Sequence, residues 1–269
     1  MKSLKLKRKR LLECKKCGKQ ESMTADTIFH STKLPLLKWF WAFYLISQTK
    51  KGISGCALSR KIKVSESTAL LMLYKIRKVM EEAAITYQIG GPESIVDADE
   101  IEIGGVGSTK QNVLILLEKS KKTGKLGRVR FAPMVDKTVK SLELQLIPQI
   151  AKATELRTDG KNTYKRLAQK YFKNFDLKQM AHWEENHTYY FLRDLNTIVG
   201  NLKTWYRGTH HHFALKNVSY YLNEFAYRFN RRRSESNIFD RLLNRAVIRP
   251  KILKLRDLYK ASQYMPLAS

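Results

Sequence analysis

Cysteine, acidic side chains and long apolar runs are all scarce in this 269-residue chain. Cys14, Cys17 and Cys56 are the whole cysteine complement, too few for the disulfide framework of a small secreted domain. The basic stretch Met1–Arg10 is not followed by the apolar core of a signal peptide, so the expected compartment is the reducing cytoplasm. No segment approaches the ~18–20 apolar residues of a membrane span. The longest candidate, Leu34 to Ser47, is broken by Lys38 and rich in aromatics, and reads as a buried helix. Asp and Glu total 24 against 51 Lys and Arg, a net charge of +27. That excess favours a polyanionic partner, nucleic acid first, with an anionic membrane surface or a ribosomal setting as the rival. Hydrophobic residues make up 43% of the chain and aromatics 10%, which supplies a core and excludes a wholly disordered chain. The length suits about two domains.

Cys14-Lys-Lys-Cys17-Gly18 is one CxxC knuckle. Tetrahedral zinc needs four ligands, so Cys14 and Cys17 are half a Zn²⁺ site, with His30 a lone third candidate. Residues 34–85 read as helices. A strongly apolar helix from Leu34 ends at Gly52–Gly55, a short helix covers Cys56–Ile62, and a Ser-rich turn at 64–68 supplies an N-cap. A longer helix then runs from about Ser67 to Ala84. A short helix, a tight turn and a longer helix carrying Lys75, Arg77 and Lys78 fit a helix-turn-helix that contacts DNA. The same pattern also fits a plain helical bundle with a solvated basic face.

Tyr87–Pro92, with Gly90-Gly91-Pro92, reads as a linker. Ile95–Gly105 then alternates apolar and acidic residues, as a half-buried strand does. Asn112–Leu117 and Val129–Val135 are two further strands, Leu142–Ile150 an amphipathic helix and Thr154–Gly160 a fourth strand. A helix around Tyr164–Tyr171 follows. Three strands, a crossover helix and a fourth strand predict an α/β sheet domain. From about Thr188 the chain is helical again, and its last 35 or so residues are basic and loose.

Within this scheme Asp99 sits on the first strand of the sheet domain and Asp159 ends the fourth. Two carboxylates from separate strands suit hard divalent cations, which take oxygen ligands and leave positions open for phosphate. Asp97, Glu100 and Glu102 compete with Asp99 as the first ligand, with Asp97 and Asp99 on one face and Glu100 and Glu102 on the other. Asn196 and Lys203 are seven residues apart, two turns, and so share one face of the Thr188–Tyr206 helix. Each has a plainer reading: Asp99 as an exposed strand residue, Asp159 as a turn residue before Gly160, Asn196 and Lys203 as helix-surface side chains. Three adjacent histidines, His210 to His212, cannot easily converge on one ion. Tyr227–Arg233 mixes aromatics with Arg228, Arg231 and Arg232, a composition suited to phosphate contact or to a solvated charged end.

An ordered series of segments resembles one family. It comprises Cys14-x-x-Cys17-Gly18, Thr27-Ile-Phe, Leu34-Pro-Leu-x-x-Trp39-Phe, Lys51-Gly-Ile-Ser54, Ile95-Val-Asp-Ala-Asp99-Glu100 with Gly104-Gly105, and Thr158-Asp159-Gly160 with Tyr164. Asn196 with Lys203, Gly208-Thr-His-His211 and Tyr221–Arg232 complete it. Together these are similar to insertion-sequence transposases of the ISXO type, in the subgroup of the DDE superfamily with Asn as third catalytic residue. The resemblance implies an RNase H-like catalytic domain. Asp99, Asp159 and Asn196 are then its Mg²⁺ (or Mn²⁺) ligands, Lys203 holds a phosphate, and the Gly-Thr-His-His turn contacts DNA or braces the site. Asn196 stands where Glu is usual. Glu184 and Glu185 lie close by in sequence, and Asp194 is expected to face away. One knuckle stands where the family has two, through an upstream start, a truncation or a subgroup without zinc, and Asp26 replaces a usual Gly.

The fold expected is therefore α+β and multidomain. A basic lead-in and partial zinc knuckle cover 1–30, and a helix-turn-helix-like module 31–90. An RNase H-like catalytic domain with a mixed sheet covers 91–232 and a basic C-terminal tail 233–269. The implied activity is metal-dependent cleavage of double-stranded DNA at the element ends, followed by attack of the freed 3′-OH on target DNA. It is carried out by a homodimer or higher oligomer in the prokaryotic cytoplasm, at the nucleoid. The alternatives are a non-catalytic helix-turn-helix DNA-binding protein and an inactive, degenerate transposase.

Overall fold

The computed structural model describes residues 4–8, 11–81, 88–104, 110–171, 175–180, 191–210, 215–233 and 238–248. They fall into two compact units, one drawn from Met1–Val79 and Ser236–Leu258, the other from Met80–Glu235. No helix among the described residues is long and apolar enough to cross a membrane.

The first unit begins with an antiparallel sheet of β1 (Leu4–Arg8), β2 (Leu11–Cys14) and β3 (Gln20–Ser22). The segment that reads as a charged lead-in is thus paired backbone. Its Leu-Lys-Leu-Lys alternation has the strand period of two, masked in the sequence by its charge. Helix α1 (Leu36–Gln48) buries Trp39, Ala42, Phe43 and Ile46 at helical spacing. Ser54 caps α2 (Gly55–Ile62) by accepting a hydrogen bond from the Ala57 N–H, and Lys63, at φ +52°, ends it in the left-handed conformation. After this turn the Ser65 hydroxyl accepts from the Thr68 N–H at 3.3 Å and opens α3 (Glu66–Met80). Residues 82–84, to which this helix was expected to run, lie outside the described residues. A Cβ on Gly55 would lie 2.6 Å from Leu70, so glycine is what lets α2 and α3 approach.

A difference appears at the C-terminus. Within the stretch that reads as a loose basic tail, residues 238–248 form a helix, numbered α8 below. It buries Ile238, Leu242 and Ala246 and packs against α1, with Phe239 against Tyr44 at 6.1 Å. These apolar positions recur at helical spacing, a signal that the Arg-rich composition hides.

The second unit is built on a mixed sheet whose strands lie in the order Leu126–Met134, Gln111–Ser120, Ser94–Ile103, Thr154–Asp159 and Phe175–Met180. Strands β4 (Ser94–Ile103), β5 (Gln111–Ser120) and β6 (Leu126–Met134) form an antiparallel meander. Strands β7 (Thr154–Asp159) and β8 (Phe175–Met180) extend it in parallel with β4. This order is compatible with an RNase H-like domain. Four strands were legible in the sequence and β8 was not, because its Phe-Asp-Leu-Lys-Gln-Met run is short and half polar. Helices α4 (Val139–Leu146) and α5 (Asn162–Lys170) cover one face, where Val96, Ala98, Leu114, Leu116, Leu156, Tyr164 and Leu167 pack together. Helices α6 (Arg193–Trp205) and α7 (Val218–Asn230) contact β4 and β6 respectively. Covered on both faces, β5 reads as the uninterrupted apolar run Val113–Leu117.

Two details anchor this unit. The Gly90–Gly91 pair, which reads as a linker, is tied to the sheet. The Gly90 N–H donates to Glu118 and the Gly91 N–H to the Thr154 hydroxyl, each at 2.8 Å. Both glycines have positive φ, a conformation other residues adopt only with strain. At the opposite side, the Asn230 side chain accepts from the Val129 N–H at 2.7 Å and donates to the Val129 carbonyl at 3.1 Å. Arg232 donates to the carbonyls of Leu126 and Gly127. The edge strand β6 is therefore occupied on its outer side from Leu126 to Val129.

Candidate active site

The parallel pairing of β4 with β7 sets Asp97 opposite Arg157. Two residues further along these strands, on the same face, stand Asp99 and Asp159. Between them lies the ammonium of Lys161, 3.0 Å from Asp159 and 3.7 Å from Asp99. It is also 2.6 Å from Glu100, which reaches it from the opposite face of the sheet, beside Tyr164. Gln179 on β8 fixes the turn that carries Lys161, donating to the Asp159 carbonyl at 2.7 Å and the Lys161 carbonyl at 3.1 Å. The Lys161 N–H donates to the Asp159 carboxylate at 3.3 Å, so Asp159 is also the turn residue that its Asp-Gly sequence suggests. Lys161, Glu100 and Gln179 were not singled out as a group by the sequence. The alternation that places Glu100 on the other face is correct, but Lys161 sits beyond the strand ends and meets both faces.

Burial pushes the Asp99 carboxyl up to about 6, opposed by the Lys161 charge and reinforced by Asp159. Burial by itself would lower the Lys161 ammonium, but Glu100 and Asp159 outweigh it and hold it above its ordinary value. The Tyr164 phenol is held well above its ordinary value by burial first and by the Glu100 carboxylate next.

A cleft of about 690 Å³ opens beside Asp99. Asn196 and Lys203, two turns apart on α6, both line it, together with Glu102, Lys110 and Lys137. Glu102 pairs with Lys137 at 2.7 Å and with Lys110 at 3.2 Å. Trp205, Tyr206 and Tyr221 form its aromatic wall. Thus Asp99, Asn196 and Lys203 share one cavity, whereas Asp159 does not line it and approaches Asp99 across Lys161. Glu184 and Glu185 lie outside the described residues, as does the start expected for α6.

Asp97 does not compete for the site. It has no exposed surface and is held by Lys119 at 2.7 Å and Arg157 at 2.7 Å. Lys119 also bonds Asp194 on the first turn of α6 at 2.6 Å, and Arg157 donates to the Phe191 carbonyl just before that helix. This ionic chain ties the start of α6 to β4, β5 and β7 and sets where Asn196 stands. Asp194 is engaged there and does not line the cleft.

Among the described residues, no three His, Cys, Asp or Glu side chains form a ready-made metal cage. Asp99 and Asp159 supply a pair of hard oxygen donors, and Lys161 shows that a cation is accepted between them. Such a pair suits a hard divalent ion, which takes oxygen ligands and fills its remaining positions with water. Cys14 and Cys17 flank a tight turn closed by the Gly18 N–H on the Cys14 carbonyl at 2.9 Å. They offer two zinc ligands of four. The His30 Nδ1 instead accepts from the Asp26 N–H at 3.4 Å.

The cations expected to touch DNA are differently placed. Arg77 is fully buried and unavailable to a duplex. Lys75 donates to the Ile28 carbonyl at 3.2 Å and lies over the Trp39 ring, while Lys78 is half-buried. The exposed cations near the α2–α3 turn are Arg60, Lys61 and Lys63. Arg228 pairs with the buried Glu224 at 2.9 Å, Arg231 stacks on Tyr227, and Arg232 holds the edge of β6. His210 packs between Trp205 and Tyr221 at centroid distances of 4.6 and 4.8 Å, a bracing position. His211 and His212 lie outside the described residues.

Residues 86–230 match a family model described as the ISXO2-like transposase domain. Among solved structures, the chain is similar to one in the cryoEM structure of a simian T-cell lymphotropic virus intasome in complex with PP2A regulatory subunit B56 gamma. That likeness has 12% identity and a TM-score of 0.39, over 80% of this chain and 73% of the other. No curated protein matches the chain in sequence.

Proposed function

Since the chain belongs to the ISXO2-like transposase family, we propose that it is the DNA transposase of an insertion sequence, cutting strands at the element ends and joining the freed 3′-OH to target DNA. The observation that carries this reading is the cleft in which Asp99, Asn196 and Lys203 meet, with Asp159 reached across Lys161. Asp99 and Asp159 hold Mg²⁺ or Mn²⁺, with the Asn196 amide as a neutral third ligand. When bound, the ion neutralises charge on the scissile phosphate and acidifies water there. Lys203 holds a phosphate oxygen as a point charge. Lys110 and Lys137 supply further positive charge to the cleft, each already restrained by Glu102.

The first unit binds double-stranded DNA, with Arg60, Lys61 and Lys63 as exposed cations at the α2–α3 turn. Cleaving and joining two ends in concert calls for a homodimer or a larger assembly.

The test is a nicking assay on DNA carrying the element's own ends, with Mg²⁺ or Mn²⁺, comparing wild type with Asp99→Ala. Metal-dependent 3′-OH ends made by the wild type and lost in the variant are the expected result. Tight binding without cutting, unchanged by Asp99→Ala, assigns the chain instead to inactive transposases or to non-catalytic DNA-binding proteins.

A further inference from the structure

The centre of the acidic group is occupied by the chain's own cation. The Lys161 ammonium touches three carboxylates from two strands: Glu100 at 2.6 Å, Asp159 at 3.0 Å and Asp99 at 3.7 Å. Its backbone is fixed on both sides, the N–H by the Asp159 carboxylate and the carbonyl by Gln179. The turn that carries the side chain is therefore held in place, and the three carboxylates draw its ammonium into the group. Two facing carboxylates repel unless a cation lies between them. Glu100, only 4% exposed at its side chain, also needs a counter-charge.

We propose that Lys161 is a resident cation of the site. In the metal-free protein it occupies the place between Asp99 and Asp159 that a divalent ion takes, and metal entry is an exchange in which the ammonium keeps its hold on Glu100 and releases the two aspartates. This rests on the reading above that Asp99 and Asp159 are metal ligands. Lys161 is then a positioning residue with two effects. It assembles the two aspartates before any metal arrives. It also sets the metal affinity low, because a divalent ion must displace one positive charge and then tolerate it nearby.

The experiment measures Mn²⁺ binding to the full chain, without DNA, by titration calorimetry. It compares wild type, Asp99→Ala, Lys161→Gln and Lys161→Arg. Weak binding by the wild type, lost in Asp99→Ala, is expected. Lys161→Gln binds Mn²⁺ at least tenfold more tightly, the gain that removing a unit charge about 5 Å from a divalent ion gives even at the dielectric of water. Lys161→Arg, which keeps the charge, stays near the wild-type value. If Asp99→Ala abolishes binding but Lys161→Gln leaves it unchanged or weakens it, the resident-cation role is overturned and the metal reading stands. If neither wild type nor Lys161→Gln binds more Mn²⁺ than Asp99→Ala, the metal reading itself fails and takes this one with it.

A second measurement needs no variant to fold at Glu100's expense. In wild-type protein carrying ¹³C-labelled lysine, the Lys161 Cε resonance, identified by its absence in Lys161→Arg, moves in step with Mg²⁺ binding. A resonance that stays fixed through saturation overturns the exchange.

Discussion

Asp97 and Asp99 lie two residues apart on one strand and face the same way, yet their surroundings give them opposite roles. Asp97 is matched by two cations and closed off from water. Asp99 is only partly compensated, so its carboxyl rises to about 6. An acid whose folded value exceeds its unfolded one weakens the fold once it must ionise. This cost is absent below about pH 4, where both states are protonated, grows as pH rises through about 6, and persists above it. Asp99→Asn is therefore expected to stabilise the metal-free protein by about 1–2 kcal/mol at pH 7.5 and by nothing measurable near pH 4. Urea titrations at the two pH values check this. Asp97→Asn should do the reverse, costing about 3–5 kcal/mol, because Lys119 and Arg157 lose the charge that they are buried against. In the same titrations, a loss under 1 kcal/mol would mean that this chain of ion pairs does not hold α6.

At the scale of elements, the outer side of β6 depends on the end of α7. Asn230→Ala removes both hydrogen bonds to Val129 and leaves a partly covered backbone pair unmatched. A loss of about 1–3 kcal/mol is expected, with faster hydrogen exchange at the Val129 amide. Unchanged exchange there would show that the helix end and the strand are not coupled. Most elements around the site were legible in the sequence. The β4 alternation, the apolar run of β5 and the strand ending in Asp159-Gly160 all carry local signatures. So does the two-turn spacing of Asn196 and Lys203, and the structure puts both residues in the cleft beside Asp99. What stayed hidden depends on tertiary partners. Nothing local distinguishes Lys161 from fifty other cations, since its role comes from strands 60 residues apart in sequence meeting at one end. Arg77 and Arg232 looked like phosphate ligands for the same reason. Charge is visible in a sequence, but burial against a core or a strand edge is not.

For the whole molecule, the chain leaves the first unit and returns to it. Helix α8 lies over 150 residues beyond α3 in sequence, yet packs on α1 in the unit that contains both. Ending the chain at residue 235 should strip α1 of this partner, so thermal unfolding should split. The first unit should melt at lower temperature and the sheet unit keep its own transition. A truncated chain with one unchanged transition would mean that α8 contributes little to its unit. The partly closed flank of β6 matters at this scale as well. A chain of net charge +27 gathers on polyanions, and an open strand edge is a template for pairing with another chain. The amide of Asn230 and the guanidinium of Arg232 already pair with Val129, Gly127 and Leu126, so a neighbour's strand meets only the far end of that flank, where Pro133 has no N–H to donate. Crowding on this side brings side-chain surfaces into contact and leaves too short a backbone edge for a long ladder to grow from.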